Sequence, residues 1–164
     1  MPTAAMIVSQ TVRAADTVPT ASSGYDGEKK INGRKRHVAV DTGQLLLAVV
    51  VTTASLPDRD GAFRITAALR EAFSTITLVW ADAGYTGRFV RDARKIWDPG
   101  RGDRQAPRPG QGLCPAPPPL GRGTPLRLLT KFRRLVRDYE TLPATHEAMI
   151  WTAATWQLSN RLTR

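Results

Sequence analysis

Apolar residues fall in short runs separated by polar, glycine-containing breaks, the punctuation of a chain that alternates strands and helices. Met6-Ile7-Val8 opens the first run and predicts a short central strand. Thr17 to Lys30 is small, polar and interrupted by glycine, and predicts a loop. His37-Val38-Ala39-Val40 and Leu45 to Thr53 flank Asp41-Thr42-Gly43-Gln44, the signal of a hairpin closed by a glycine turn.

Asp58-Arg59-Asp60-Gly61 then supplies carboxylates suited to an N-cap. Phe63, Ile65, Leu69 and Phe73 follow at helical spacing, predicting a helix to about Phe73. Ile76 to Ala81 is the next strand. Gly87 to Trp97 is a helix candidate with Phe89, Ala93, Ile96 and Trp97 on one face. A hairpin, a helix, a strand and a helix make an α/β domain with a mixed sheet. The helical crossover makes the strand ending at Asp82 parallel to a neighbour, and the segment around Val8 is the natural one.

The pattern then breaks. Residues 97–128 hold eight of the twelve prolines and six of the thirteen glycines. Each proline removes an N–H donor and fixes φ, so a disordered or polyproline-type segment is expected there. Order returns near Leu126, where Leu128, Leu129, Phe132, Leu135 and Val136 predict a basic helix. A last helix is expected from Thr145, as N-cap, to about Leu162, with Met149, Ile150, Trp156 and Leu162 contributing its apolar surface. Trp151 and Trp156 fall in that pattern and read as core. The organisation is therefore 1–96, an interrupting 97–128, and a helical 129–164.

Composition narrows the class. A chain of 164 residues suits one domain with a real core. The single cysteine, Cys114, excludes an internal disulfide and any cysteine-based zinc cluster. The longest apolar run, Leu45 to Val51, is too short to span a bilayer, and no secretory signal opens the chain. A cytoplasmic protein is expected. The net charge of +10 favours a polyanionic partner, most commonly nucleic acid.

Candidate chemistry concentrates in Trp80-Ala81-Asp82-Ala83-Gly84-Tyr85. A buried strand ending in a carboxylate, followed by a glycine turn, presents an acid at the mouth of a metal site. Partners for Asp82 are scarce, because no Asp or Glu precedes Asp16 and none lies between Asp103 and Asp138. Asp41 and Asp60 read as turn and cap residues. His37 and His146 are isolated and read as structural or surface groups rather than metal ligands.

An ordered series of stretches resembles the bacterial insertion-sequence DDE transposases, whose catalytic domain is RNase H-like. The series is Ser9-Gln10-Thr11-Val12, Gly24-Tyr25-Asp26 through Lys30, Gly33 through Thr42, Leu45 through Thr52, Asp58-Arg59-Asp60-Gly61, Val79 through Tyr85, and Lys131 through Glu140. It covers roughly residues 3–96 and 129–164. The resemblance implies an RNase H-like mixed sheet with flanking helices and DNA cleavage and strand transfer. It also implies two divalent ions, Mg²⁺ or Mn²⁺, held by Asp, Asp and Glu. Asp82 matches the second acid, with Tyr85 packed beside it.

The other two acids depart from the pattern. Relatives read apolar-Asp-Ser-Gln where this chain has Ile7-Val8-Ser9-Gln10, so Val8 stands at the first acid. The third falls within Trp-Val-Val-Glu-Arg in relatives and aligns with Gly123. One permitted set of codons for Pro118 to Thr124 (CCG CCG CTG GGT CGT GGA ACG) reads Arg-Arg-Trp-Val-Val-Glu-Arg when shifted by one base. Compensating frameshifts bounding about Trp97 to Leu128 account for the proline burst and the missing acids together. Relatives also carry a region ahead of the first acid, so a truncated start is expected.

Two basic runs remain, Lys29, Lys30, Arg34, Lys35, Arg36 and His37, and Lys131, Arg133, Arg134 and Arg137. The resemblance implies that such residues contact phosphates of the transposon ends; the alternative is a solvated charged face. Three functional expectations stand together: a transposase-family protein with defective catalysis, a basic DNA-binding remnant acting on or with an intact transposase, and a decayed product without a stable fold.

Overall fold

The computed structural model of the chain describes residues 1–81, 112–115 and 129–163. A sheet of six strands carries one long helix on each face. The strands are β1 (Ala4–Arg13), β2 (Gly24–Asp26), β3 (Ile31–Val40), β4 (Leu46–Thr53), β5 (Leu78–Ala81) and β6 (Gly112–Pro115). Among the described residues the helices bounded at both ends are α1 (Asp58–Ala72), α2 (Arg133–Val136) and α3 (Pro143–Leu162), with a short 3₁₀ turn at Thr20–Ser22.

β1 lies between antiparallel β3 and parallel β5, and β6 extends the sheet in parallel beyond β5. β2 and β4 both pair with β3. The sheet thus joins an antiparallel half built from hairpins to a parallel half reached through α1, which is the RNase H-like arrangement the sequence implied.

Strand alternation divides the core in two. Ala5, Ile7, Ala39 and Val79 face α1 and pack with its Ala62, Ile65 and Leu69. Val38, Val40, Val49 and Val51 face the other way and pack with Leu129, Leu135, and Ile150 and Ala153 of α3. A bulge in β4, where Ala39 pairs with Ala48 but Val40 with Leu46, leaves Leu47 and Ala48 together in the α1 cluster.

Several local expectations change. The loop expected over Thr17 to Lys30 contains the 3₁₀ turn and β2, because Asp26 fixes the chain there: its carboxylate accepts the amides of Glu28 and Lys29 at 3.0 and 3.1 Å and the Thr11 hydroxyl at 2.6 Å. The hairpin turn places its left-handed residue at Gln44, φ 64°, rather than at the glycine. Asp41 closes that turn by accepting the Leu45 amide at 2.8 Å. Neither Asp58 nor Asp60 is an N-cap; Pro57 holds that position, and both acids sit in the first turn, where the helix dipole favours negative charge.

In the C-terminal part, α2 is a single turn and not the longer basic helix expected from Leu128. α3 starts earlier than expected, with Leu142 as N-cap and Pro143 in its first turn in place of Thr145 as cap. Trp151 and Trp156 are exposed rather than core; Trp156 stacks edge-on against Phe132, ring centres 5.4 Å apart. Their helix buries only the stripe His146, Ile150 and Ala153.

The disorder expected over 97–128 fails at Gly112–Pro115, which pairs residue for residue with β5. An outer strand tolerates proline at its end, because a lost N–H is harmless where no further strand needs it. The remainder of 97–128 and the Gly87 to Trp97 helix candidate lie outside the described residues.

Candidate catalytic face and basic surface

Ile7 of β1 pairs in parallel with Ala81, the last residue of β5, and Val8 follows Ile7 along β1. Asp82 and Gly123 lie outside the described residues. Val8 does not. It is half-buried, paired across the sheet with Val38, and packed with Met6, Leu46, Phe132 and Met149 against the α3-side core. Its isopropyl group has no lone pair to offer a cation. Among the described residues no group of three His, Cys, Asp or Glu side chains is placed to hold a metal ion. The described residues therefore do not fit a two-ion centre.

The first basic run behaves differently from a surface patch. Its arginines lie in β3, a strand with partners on both edges, so alternation sends Arg34 and Arg36 to the α3 face and Lys35 and His37 to the α1 face. All four side chains are buried, Arg34 and Arg36 with only 1% exposure. A buried guanidinium needs acceptors for five N–H groups. Arg34 has five: Ser22 O at 2.9 Å, Ser22 Oγ at 2.6 Å, Asp138 Oδ2 at 3.0 Å, Glu140 O at 2.7 Å and Thr141 O at 2.7 Å. Arg36 donates to the Gln10 side-chain oxygen through Nε and Nη2 and to Leu135 O at 3.0 Å. Burial lowers its pKa to about 10, against the opposing attraction of Asp138. Lys35 binds Leu56 O and Asp58 Oδ1, both at 3.0 Å. The expectation that Arg34, Lys35 and Arg36 contact DNA phosphates does not fit this burial: none of the three reaches solvent, and every Arg34 N–H already has an acceptor.

Asp138 is the hub the sequence did not reveal. It is fully buried, accepts from His146 Nδ1 at 2.8 Å and from the Glu140 amide at 3.0 Å, and pairs with Arg34. Burial alone raises its pKa, but the His146 and Glu140 hydrogen bonds and the Arg34 and His146 charges hold it below the usual value. Its backbone bonds to Arg13 O and Ala15 N at 2.9 and 2.7 Å. The partner of Arg34 is 104 positions away, so no local pattern announces it.

His37 occupies the other face without exposure. Its Nε2 lies 3.2 Å from Thr52 Oγ1 and its Nδ1 has no partner among the described residues. Burial drives its pKa down to about 4, with Asp58 opposing and Lys35 and Arg64 assisting. Gly61 of α1 approaches so closely that a Cβ there would fall 2.0 Å from His37 Nε2. Glycine brings helix and sheet together at this point.

Of the two basic runs, the groups that reach solvent are Lys29, Lys30, Lys131, Arg133 and Arg134, with Arg137 partly exposed. Lys29 Nζ donates to Thr11 Oγ1, Arg134 pairs with Glu140 at 3.0 Å, and Arg137 donates to Ala14 O and pairs with the fully exposed Asp16 at 3.5 Å. Exposed pairs of this kind contribute little to stability and leave the cations open to exchange partners.

A mixed sheet with an antiparallel and a parallel half and a long helix on each face is an RNase H-like architecture. The family described as Transposase DDE domain matches residues 6–104, and the chain belongs to that family. No curated protein matches it. Among the described residues no helix is long and apolar enough to cross a membrane.

Proposed function

We propose that this chain is a DNA-transposition protein that binds DNA but does not cut it. The family implies a DNA substrate and a role in transposition. The observation that carries the loss of cutting is Val8, a half-buried hydrocarbon packed against the core at the position the resemblance gives to the first acid. In-line phosphodiester cleavage depends on carboxylates that hold both ions in register, and two of the three are replaced, by Val8 and Gly123, leaving Asp82 as catalytic acid and metal ligand in name. Binding is assigned to the solvent-exposed cations Lys29, Lys30, Lys131, Arg133, Arg134 and Arg137. A chain that occupies DNA without cutting competes with an intact transposase, through the DNA or through mixed assembly.

The test is nicking of supercoiled DNA with Mg²⁺ or Mn²⁺, alongside duplex binding across a salt series. Expected are no nicking and an affinity that falls steeply with salt, as counterion release requires. Metal-dependent nicking that disappears in Asp82→Ala overturns the defect, and absence of DNA binding at low salt overturns the binding role.

A further inference from the structure

Where β1 ends, the chain opens a cleft of roughly 490 Å³ that belongs to neither the acid positions nor the buried network. Arg13, Asp16, Tyr25, Lys30, Asn32 and Arg137 line it. Three cations face one carboxylate, and that carboxylate, Asp16, is fully exposed in its pair with Arg137. Arg13 and Lys30 are exposed and have no acidic partner among the described residues. Tyr25 stands beside them at 59% exposure, a large ring turned mostly to solvent. β2 is short and pairs only with β3 on one edge, which leaves the ring of Tyr25 free to receive a planar partner.

We infer that this cleft is a single-stranded DNA subsite, in which Arg13, Lys30 and Arg137 hold backbone phosphate and Tyr25 stacks on an unpaired base. The inference rests on the DNA-binding reading above and deepens it. Cations alone track the backbone of any nucleic acid, whereas an exposed aromatic ring among them rewards a base that has left the helical stack. The same motif recurs across the bridge between Ala14 and Asp138: Arg137 and Tyr139 flank Asp138, and Arg133, Arg134 and Tyr139 line a second opening, with Tyr139 at 47% exposure. The anchor beneath them is stiff, because Asp138 is tied to β1 through its backbone and to Arg34 and His146 through its carboxylate.

The experiment measures fluorescence anisotropy of the full chain with a labelled oligo-dT and with a duplex of equal length. Tyr25→Ala is expected to weaken oligo-dT binding by about tenfold and to leave duplex binding unchanged. Tyr25→Phe should retain it, since stacking needs the ring and not the hydroxyl. Arg13→Ala with Lys30→Ala should weaken both ligands and lower the salt slope for oligo-dT by about one to one and a half. Arg59→Ala, an exposed cation on α1, serves as the control and should change neither. Equal loss on single strand and duplex in Tyr25→Ala, or no loss in either cleft variant, overturns the subsite while leaving DNA binding intact. Failure of the unmodified chain to bind any DNA overturns the underlying reading instead.

Discussion

The Arg34 guanidinium and the Asp138 carboxylate meet at 3.0 Å with both side chains shut off from water. This contact ties the central strand β3 to the segment that leads into α3, so a residue that resembles a DNA contact in the sequence is the fastening between the two halves of the chain. Arg34 uses every N–H it has in doing so.

Removing one partner of this pair leaves the other charged and buried, which costs about 3–5 kcal/mol. Asp138→Asn and Arg34→Met are expected to lose that order of stability in urea denaturation. Arg34→Lys should lose nearly as much, because an ammonium has three donors and cannot serve five acceptors spread over a planar fork. A lysine variant within about 0.5 kcal/mol of the parent, below the usual scale for a lost buried pair, would show that the network is ornamental.

Gly61→Ala forces a methyl group into the His37 ring. Overpacking of this kind costs about 1–3 kcal/mol. Thermal denaturation should show the loss, and combining it with His37→Ala should cost less than the two single changes added, since the second change opens the space the first one needs. Strict additivity would place the steric conflict elsewhere.

His37 also sets a pH window. Its pKa is about 4 in the fold against 6.5 for the free side chain, so the unfolded chain binds the extra proton first as pH falls. The associated stability is fully present above pH 6.5 and is lost on descending toward pH 4, to a limit of roughly 3 kcal/mol. Asp26 and Asp138 have lowered carboxyl values, so their contributions disappear only below the normal carboxyl range, in a separate and more acidic step. Urea midpoints measured from pH 7 to 4 should fall in the parent and stay flatter in His37→Gln; parallel curves would remove His37 from the account.

Val8→Asp restores the first acid by name only. A carboxylate placed among Met6, Leu46, Phe132 and Met149 should cost about 1–3 kcal/mol, and more at pH 7 than at pH 4, because burial disfavours the charged form. Nicking activity should not return. A variant that is instead stabilised by millimolar Mg²⁺ in a thermal shift assay would show that this face still accepts a cation.

The strands around Val8, His37 to Val40, Leu45 to Thr53 and Ile76 to Ala81, and the helix to about Phe73, were legible in the chain, because each carries its own periodicity and turn residues. So was the family, since an ordered series of short stretches carried the resemblance. The strand at Gly112–Pro115 was hidden by its prolines; pairing with the open edge of β5 outweighed local preference.

What the sequence by itself determined was the family, the order of elements and the two-period apolar pattern, all of which depend on neighbours within a few residues. Whether a cation faces solvent or core depends on which strand becomes central and on what arrives across a hundred positions of chain. Arg34, Lys35 and Arg36 sit in a strand paired on both edges; Asp138 pairs with Arg34, Asp58 with Lys35, and Gln10 and Leu135 O accept from Arg36. Charged groups in a sheet interior persist only where their donors are matched, and that matching is a property of the assembled fold, not of the run of basic residues.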